Sequence, residues 1–344
     1  MVAFCRAFPE GQEDQCFFKR IAVIKLLDDA KSTKQHCQAE QWAPHGVKAL
    51  TGFLFFNLIY GVVFATHFAH FFRFSLTQND TPHFSLILLV TAYLMYGRRR
   101  EVLAHATCCF RGGIPLVLLG ALCYLSGVVL RPALGQNDFF ALTMFATLVV
   151  WVGGFVTFFG LRAARMVRFP LAFLLFMVPI PEALLFHIIT ALQGASAEVV
   201  ALLFRLTPVP MFREGTVFAL PGIVIEVARE CSSIRSSWSL LITCVLANHL
   251  LLRRWWSQTV VLLLVFPLAV FKNGVRIVTL TLLTLYVDDG FLHGRLHTRG
   301  GVVFFGMALL VLLPIVLGLR KLEARQRAPG PSVAVCSEGQ THDV

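Results

Sequence analysis

A thiol, an arginine and four serines stand together in ECSSIRSS, residues 230–237 of a chain that is otherwise 57% hydrophobic. A cysteine acts as a nucleophile through its thiolate, which the N–H groups at a helix start and a nearby cation both favour. Cys231 and Arg235 are spaced i, i+4 and share a face if a helix begins here. Two readings are open for these eight residues. Ser232 and Ser233 cap a helix while Arg235 reaches toward lipid headgroups, or the segment presents Cys231 for chemistry.

Further polar residues interrupt apolar runs nearby. FKNGVRIVTL places Asn273 and Arg276 three apart on one helical face, inside a run that extends from about 257 to 287. In a straight helix Arg276 lies roughly 16 Å short of the end near Val287. Burying a guanidinium in lipid costs at least about 2.5–3.5 kcal/mol, so such a residue lines a cavity or finds a partner. We expect a polar pocket set into the membrane, or a helix break near Lys272–Gly274. In FLHGRLHTRGG, His293 and His297 are also i, i+4, and His297 suits a general acid or base near neutral pH. Glu182 and His187 are weaker candidates for the same cavity. No HExxH accompanies the histidines and carboxylates are sparse around them, so we expect no metal and no cofactor. Nine cysteines show no CxxC pairing, so a disulfide framework is not indicated.

These residues need a membrane scaffold. Only 14% of the 344 residues are charged and the mean hydropathy is +0.72, against about 25% charged for a soluble domain. Apolar runs at 50–72, 84–96, 114–130, 139–160, 169–191, 236–252, 257–287 and 301–319 predict an all-α polytopic membrane protein with about eight transmembrane helices. Basic clusters at 97–101, 161–168, 251–256 and 319–327 follow the even-numbered runs. The positive-inside rule then sets both termini in the cytoplasm, and ECSSIRSS and the histidine segment on the opposite side. The net charge of +11 is accounted for by those clusters, so no nucleic-acid partner is expected. TVFAL and IVIEV, joined by Pro221-Gly222, predict a small extracytoplasmic β-hairpin before the sixth helix. Residues 1–46 read as a cytoplasmic extension, 47–327 as the membrane domain, and 328–344 as a disordered cytoplasmic tail.

Taken in order, Cys231, Asn273-x-x-Arg276 and His297 with Gly301 resemble the exosortase/archaeosortase family of multi-pass membrane cysteine transpeptidases. The likeness runs from about Arg213 to Phe305. The family's usual Ala-Cys-Ser-Gly reads Glu230-Cys231-Ser232-Ser233 here. The resemblance implies Cys231 as nucleophile, Arg276 as its electrostatic partner and His297 as acid/base, with Arg235, Asn273, Ser232, Ser233 and His293 as supporting pocket. It also implies a bacterial inner-membrane enzyme whose site faces the periplasm. Its partners would be exported proteins ending in a Pro-Glu-Pro-like motif, a membrane helix and basic residues. A transporter or polysaccharide-export component is the alternative from another class, since midplane charges and broken helices suit it. Against it, the two halves show no internal repeat and the polar residues gather in the C-terminal third.

Overall fold

Val178-Pro179-Ile180-Pro181 divides the chain. A residue before proline is pushed to extended backbone, and Val178 obeys with φ −78° and ψ 125°. The computed structural model describes residues 46–78, 84–227, 234–288 and 301–326. They group into two compact units, which separate between Pro179 and Ile180.

In the first unit, α1 (Gly46–Val63) and α2 (Ala65–Gln78) are joined across Phe64 by helical hydrogen bonds. There follow α3 (Phe84–Gly97), α4 (Arg99–Ala104), α5 (Phe110–Leu130), α6 (Gln136–Met166), α7 (Arg168–Phe173) and a 3-10 turn, Leu174–Met177. Helices α5 and α6 form a hairpin whose seam is built from glycine. Gly113, Gly120 and Gly127 recur every seven residues on α5 and are all buried. A Cβ at Gly120 would stand 2.7 Å from the Val150 backbone nitrogen, so only glycine allows this approach. Close backbone contact between small residues is how membrane helices associate without a hydrophobic driving force. Gly160, at φ +84°, kinks α6, and the carbonyls of Thr157 and Phe159 there accept from the N–H groups of Cys109 and Thr107. Donors from another segment thus meet acceptors beside the kink, as a lipid environment demands.

The second unit holds α8 (Glu182–Arg205), a small sheet, α9 (Ile234–Leu251), α10 (Trp255–Tyr286) and α11 (Gly301–Arg325). The expected hairpin forms as β2 (Val217–Leu220) and β3 (Ile223–Glu226), with Pro221-Gly222 as the turn and Gly222 at φ +83°. That is a type II turn, in which the third residue needs positive φ. A further strand, β1 (Phe212–Glu214), completes an antiparallel sheet in the order β1-β2-β3. Phe218, Leu220, Ile225 and Val227 alternate inward and pack on Val200, Phe204 and Val278.

Two of the expected helical runs differ. Run 84–96 becomes α3, whose 14 residues reach only about 21 Å. Run 169–191 is not one helix, because the two prolines break it and the long helix starts at Glu182 instead. Residues 192–205, which follow the expected run, are therefore the second half of α8. Among the described residues, six helices are long and apolar enough to cross a membrane: α1, α5, α6, α8, α10 and α11. α10 is a single helix of 32 residues that continues through Pro267 and Lys272–Gly274 without a break.

The glycine seam yields a contrast. Gly120→Val is expected to destabilise the first unit by about 1–3 kcal/mol, as overpacking does. Gly194→Ala, at an exposed α8 position with nothing near its Cβ, should leave stability unchanged or raise it by up to about 1 kcal/mol. Thermal unfolding of the two variants in detergent checks both.

Candidate active site

Side-chain contacts fix how the four helices of the second unit run. Ser196 of α8 meets Asn273 of α10, and Val199 abuts Gly274, so contacts advance together and α8 and α10 run the same way. α9 runs opposite to α10. Lys272 on α10 donates to Ser236 in the first turn of α9, while Asn248 near its end donates to the Gln258 carbonyl. α11 is also antiparallel to α10. The Glu323 carboxylate near its end accepts from the backbone N–H groups of Arg253 and Arg254, each at 3.0 Å. Two backbone amides at the entry to α10 are thereby satisfied, by a buried carboxylate at the positive helix end. The starts of α9 and α11 therefore face the half of α10 that carries Asn273 and Arg276. The segments bearing Cys231 and His297 lead into those two starts.

The sheet sets the depth of this end. A sheet with open edges leaves backbone groups that lipid hydrocarbon cannot satisfy. Here it packs around Val278, with Ile277, Leu282 and Leu285 of α10 against the same cluster. Arg213 of β1 also forms a bidentate pair with Glu198 of α8, at 3.0 and 2.6 Å, and Glu198 is 71% exposed. Such a surface pair contributes little stability, but a carboxylate as exposed as that of Glu198 belongs in water. The sheet thus covers the part of α10 beyond Arg276. The other end of α10 is marked by Arg253, Arg254 and the exposed Trp255, a basic and aromatic interface. Trp255 to Arg276 measures about 32 Å along the helix, close to the ~30 Å of a bilayer core. Of the two expected alternatives, a helix broken near Lys272–Gly274 does not form, because α10 runs through those residues unbroken.

Three consecutive residues of α10 knit this level together. Lys272 is 1% exposed and donates to Ser236 Oγ. Asn273, also 1% exposed, donates from Nδ2 to Ser196 Oγ at 3.1 Å. Gly274 lets Val199 come closer than a Cβ would permit, 2.5 Å from where one would stand. One turn on, Arg276 is half-buried on the face that carries Lys272. On α8, Gln193 Nε2 donates to the Val227 carbonyl at 2.6 Å, and the Val227 N–H donates to the Thr216 carbonyl. The chain entering the Cys231 segment is thus held to α8, and the chain leaving it is held to α10 through Ser236.

Of the residues expected at the site, Asn273 and Arg276 lie at this level of α10. Cys231, Ser232, Ser233, His293 and His297 lie outside the described residues, as does the side chain of Arg235. Glu182 and His187 are not part of the knot. They occupy exposed positions in the first turns of α8, and Glu182 lies about 21 Å along the helix from Ser196.

A family model described as transmembrane exosortase (Exosortase_EpsH) matches residues 75–314. The chain belongs to the transmembrane exosortase family. It is a multi-pass membrane protein on that ground and on its apolar helices. No curated protein and no solved structure matches it. The matched region takes in all of the second unit up to Pro314, and hence every residue of this exosortase that the sequence suggests for chemistry.

Reading the sequence missed Ser196 and Gln193, because the expected run ended at 191 whereas α8 extends from Glu182 to Arg205. Their signal was present. Leu192, Ser196, Ala197, Val200, Ala201 and Phe204 are buried at helical spacing, and the prolines at 179 and 181 mark where the helix begins. Lys272 was expected to snorkel or to mark a break, and it does neither.

The Asn273–Ser196 bond is testable by itself. In a double-mutant cycle with Asn273→Ala and Ser196→Ala, unfolding in detergent should give a coupling of about 0.6–1.7 kcal/mol, the range for hydrogen bonds between membrane helices. A coupling near zero would mean that the two side chains do not support each other.

Proposed function

We propose that this exosortase is a membrane cysteine transpeptidase that cleaves C-terminal sorting signals from exported proteins. The Cys231 thiolate attacks the scissile carbonyl, and Arg276 stabilises the charge that gathers on sulfur and on the carbonyl oxygen. His297 gives a proton to the departing amine, the C–N bond breaks, and a thioester to Cys231 remains. An incoming amine or water, losing its proton to His297, then attacks the thioester and frees the thiolate.

What carries this reading is the convergence at one end of α10. The flanks of the Cys231 segment are tied to α8 and α10 beside Arg276. α11, which the His297 segment enters, begins at the same end. Arg235, Asn273, Ser232, Ser233 and His293 complete the proposed pocket. With the boundary at Arg276, the pocket opens where a substrate helix leaves the bilayer, so a short motif just outside that helix reaches the thiol. The match to the exosortase family supports the same chemistry.

Counting α1–α2, α3 and α9 with the four other long helices and α11 gives eight crossings. In that topology both termini are cytoplasmic and the sheet faces the periplasm of a bacterial inner membrane, in accord with the four basic clusters.

The test is processing of a tagged reporter that ends in a Pro-Glu-Pro-like motif, an apolar helix and a basic cluster, co-expressed with this chain in membranes. Wild type should shorten the reporter, and Cys231→Ala should abolish shortening. Arg276→Ala and His297→Ala should each lower the rate by about 10²-fold or more, the usual scale for a lost electrostatic or acid–base group. Shortening that persists in Cys231→Ala would assign the cleavage to another protein and remove the nucleophile from this proposal.

A further inference from the structure

Among the described residues two charged side chains are almost fully buried, Glu323 and Lys272. Glu323 is explained by the two backbone amines it caps. Lys272 is not explained by packing. A methionine would fill the same space without a charge, and a buried ammonium whose contact is a serine hydroxyl is a costly way to join two helices. It also stands four residues from Arg276 on one helical face, where two like charges repel. A cation kept against both penalties points to a need for its charge or its donors at this spot.

The spot is specific. Ser236, whose Oγ accepts the hydrogen bond from Lys272, lies five residues after Cys231 in the first described turn of α9. The opposite flank of the segment is held by Gln193 at the Val227 carbonyl. Beside Ser236, the Ser237 hydroxyl is buried and has no partner, so it does not share in fastening this turn. Lys272 therefore fastens the α9 side of the nucleophile segment to the helix that carries Arg276.

We propose that Lys272 is a positioning residue for the reaction, resting on the reading of Cys231 as nucleophile. Through Ser236 it holds the start of α9 in register with α10, so that the Cys231 segment and Arg276 keep a fixed relation. Displacements of about 1 Å at a reacting group cost up to about 10²-fold in rate, so such a clamp acts on turnover more than on substrate affinity.

The full-length chain is purified in detergent as wild type, Cys231→Ala, Lys272→Met, Lys272→Arg and Ser236→Ala. Thermal unfolding, kcat and KM for the reporter, and iodoacetamide labelling of the Cys231 peptide by mass spectrometry are measured on each. Lys272→Met should unfold no earlier than wild type, since it removes a buried charge. Its kcat should nonetheless fall about tenfold or more with KM within about twofold. Lys272→Arg should recover most of the loss, and Ser236→Ala should reproduce part of it. An unchanged kcat in Lys272→Met overturns the proposal. So does a parallel loss of stability and activity that Lys272→Arg leaves unrepaired, which is the behaviour of a plain structural residue. Failure of the parent reading shows separately, as processing that survives Cys231→Ala. If wild type processes no reporter at all, the labelling decides, and equal Cys231 reactivity in wild type and Lys272→Met overturns the clamp.

Discussion

Hydrocarbon cannot satisfy an open sheet edge or an exposed ion pair, and the second unit is arranged around that constraint. The three-stranded sheet rests on the later turns of α8 and α10 through Phe218, Ile225 and Val227, and its open edges need water. Because α10 is about 48 Å long and a bilayer core is about 30 Å thick, the excess is what the sheet covers. Arg276 falls at the join. In the proposed topology, a residue that looks prohibitively deep when counted from the helix end is at the boundary when counted from the sheet.

The same level is where α10 touches its neighbours through polar atoms. Lys272 reaches α9, Asn273 reaches α8, and Gly274 removes the side chain that would hold α8 away. Below that level the contacts among α9, α10 and α11 are almost wholly apolar, from Leu240 and Cys244 to Val261, Val265, Ala269 and Leu312. Glu323 closes the opposite end by capping α10. The unit thus has polar fastenings at both membrane faces and an apolar middle. That arrangement fixes the helix registers.

The first unit follows a different rule. Its tightest seam is glycine against backbone along α5 and α6, with aromatic packing of Phe53, Trp151, Phe155 and Phe159 on the α1 side. His67 is buried among Tyr124, Phe139 and Phe140, in a packing role. None of the residues singled out for chemistry belongs to this unit.

By itself the sequence determined the membrane class, the approximate helices, the Pro-Gly turn and the family. Each of these rests on local properties: runs of apolar residues, a dipeptide with one preferred backbone, a short ordered motif. The prolines at 179 and 181 were equally local, yet their effect on α8 was lost because apolarity runs straight through them from 169 to 191. Only the tertiary structure decided what covers α10 beyond Arg276 and the inward aim of Lys272. Depth is measured against whatever packs on the helix, here a sheet formed by residues 212–226, and a one-dimensional count from the helix end contains no such reference. The partners Ser196 and Ser236 are 77 and 36 residues from the side chains they receive, so nothing in local spacing pairs them.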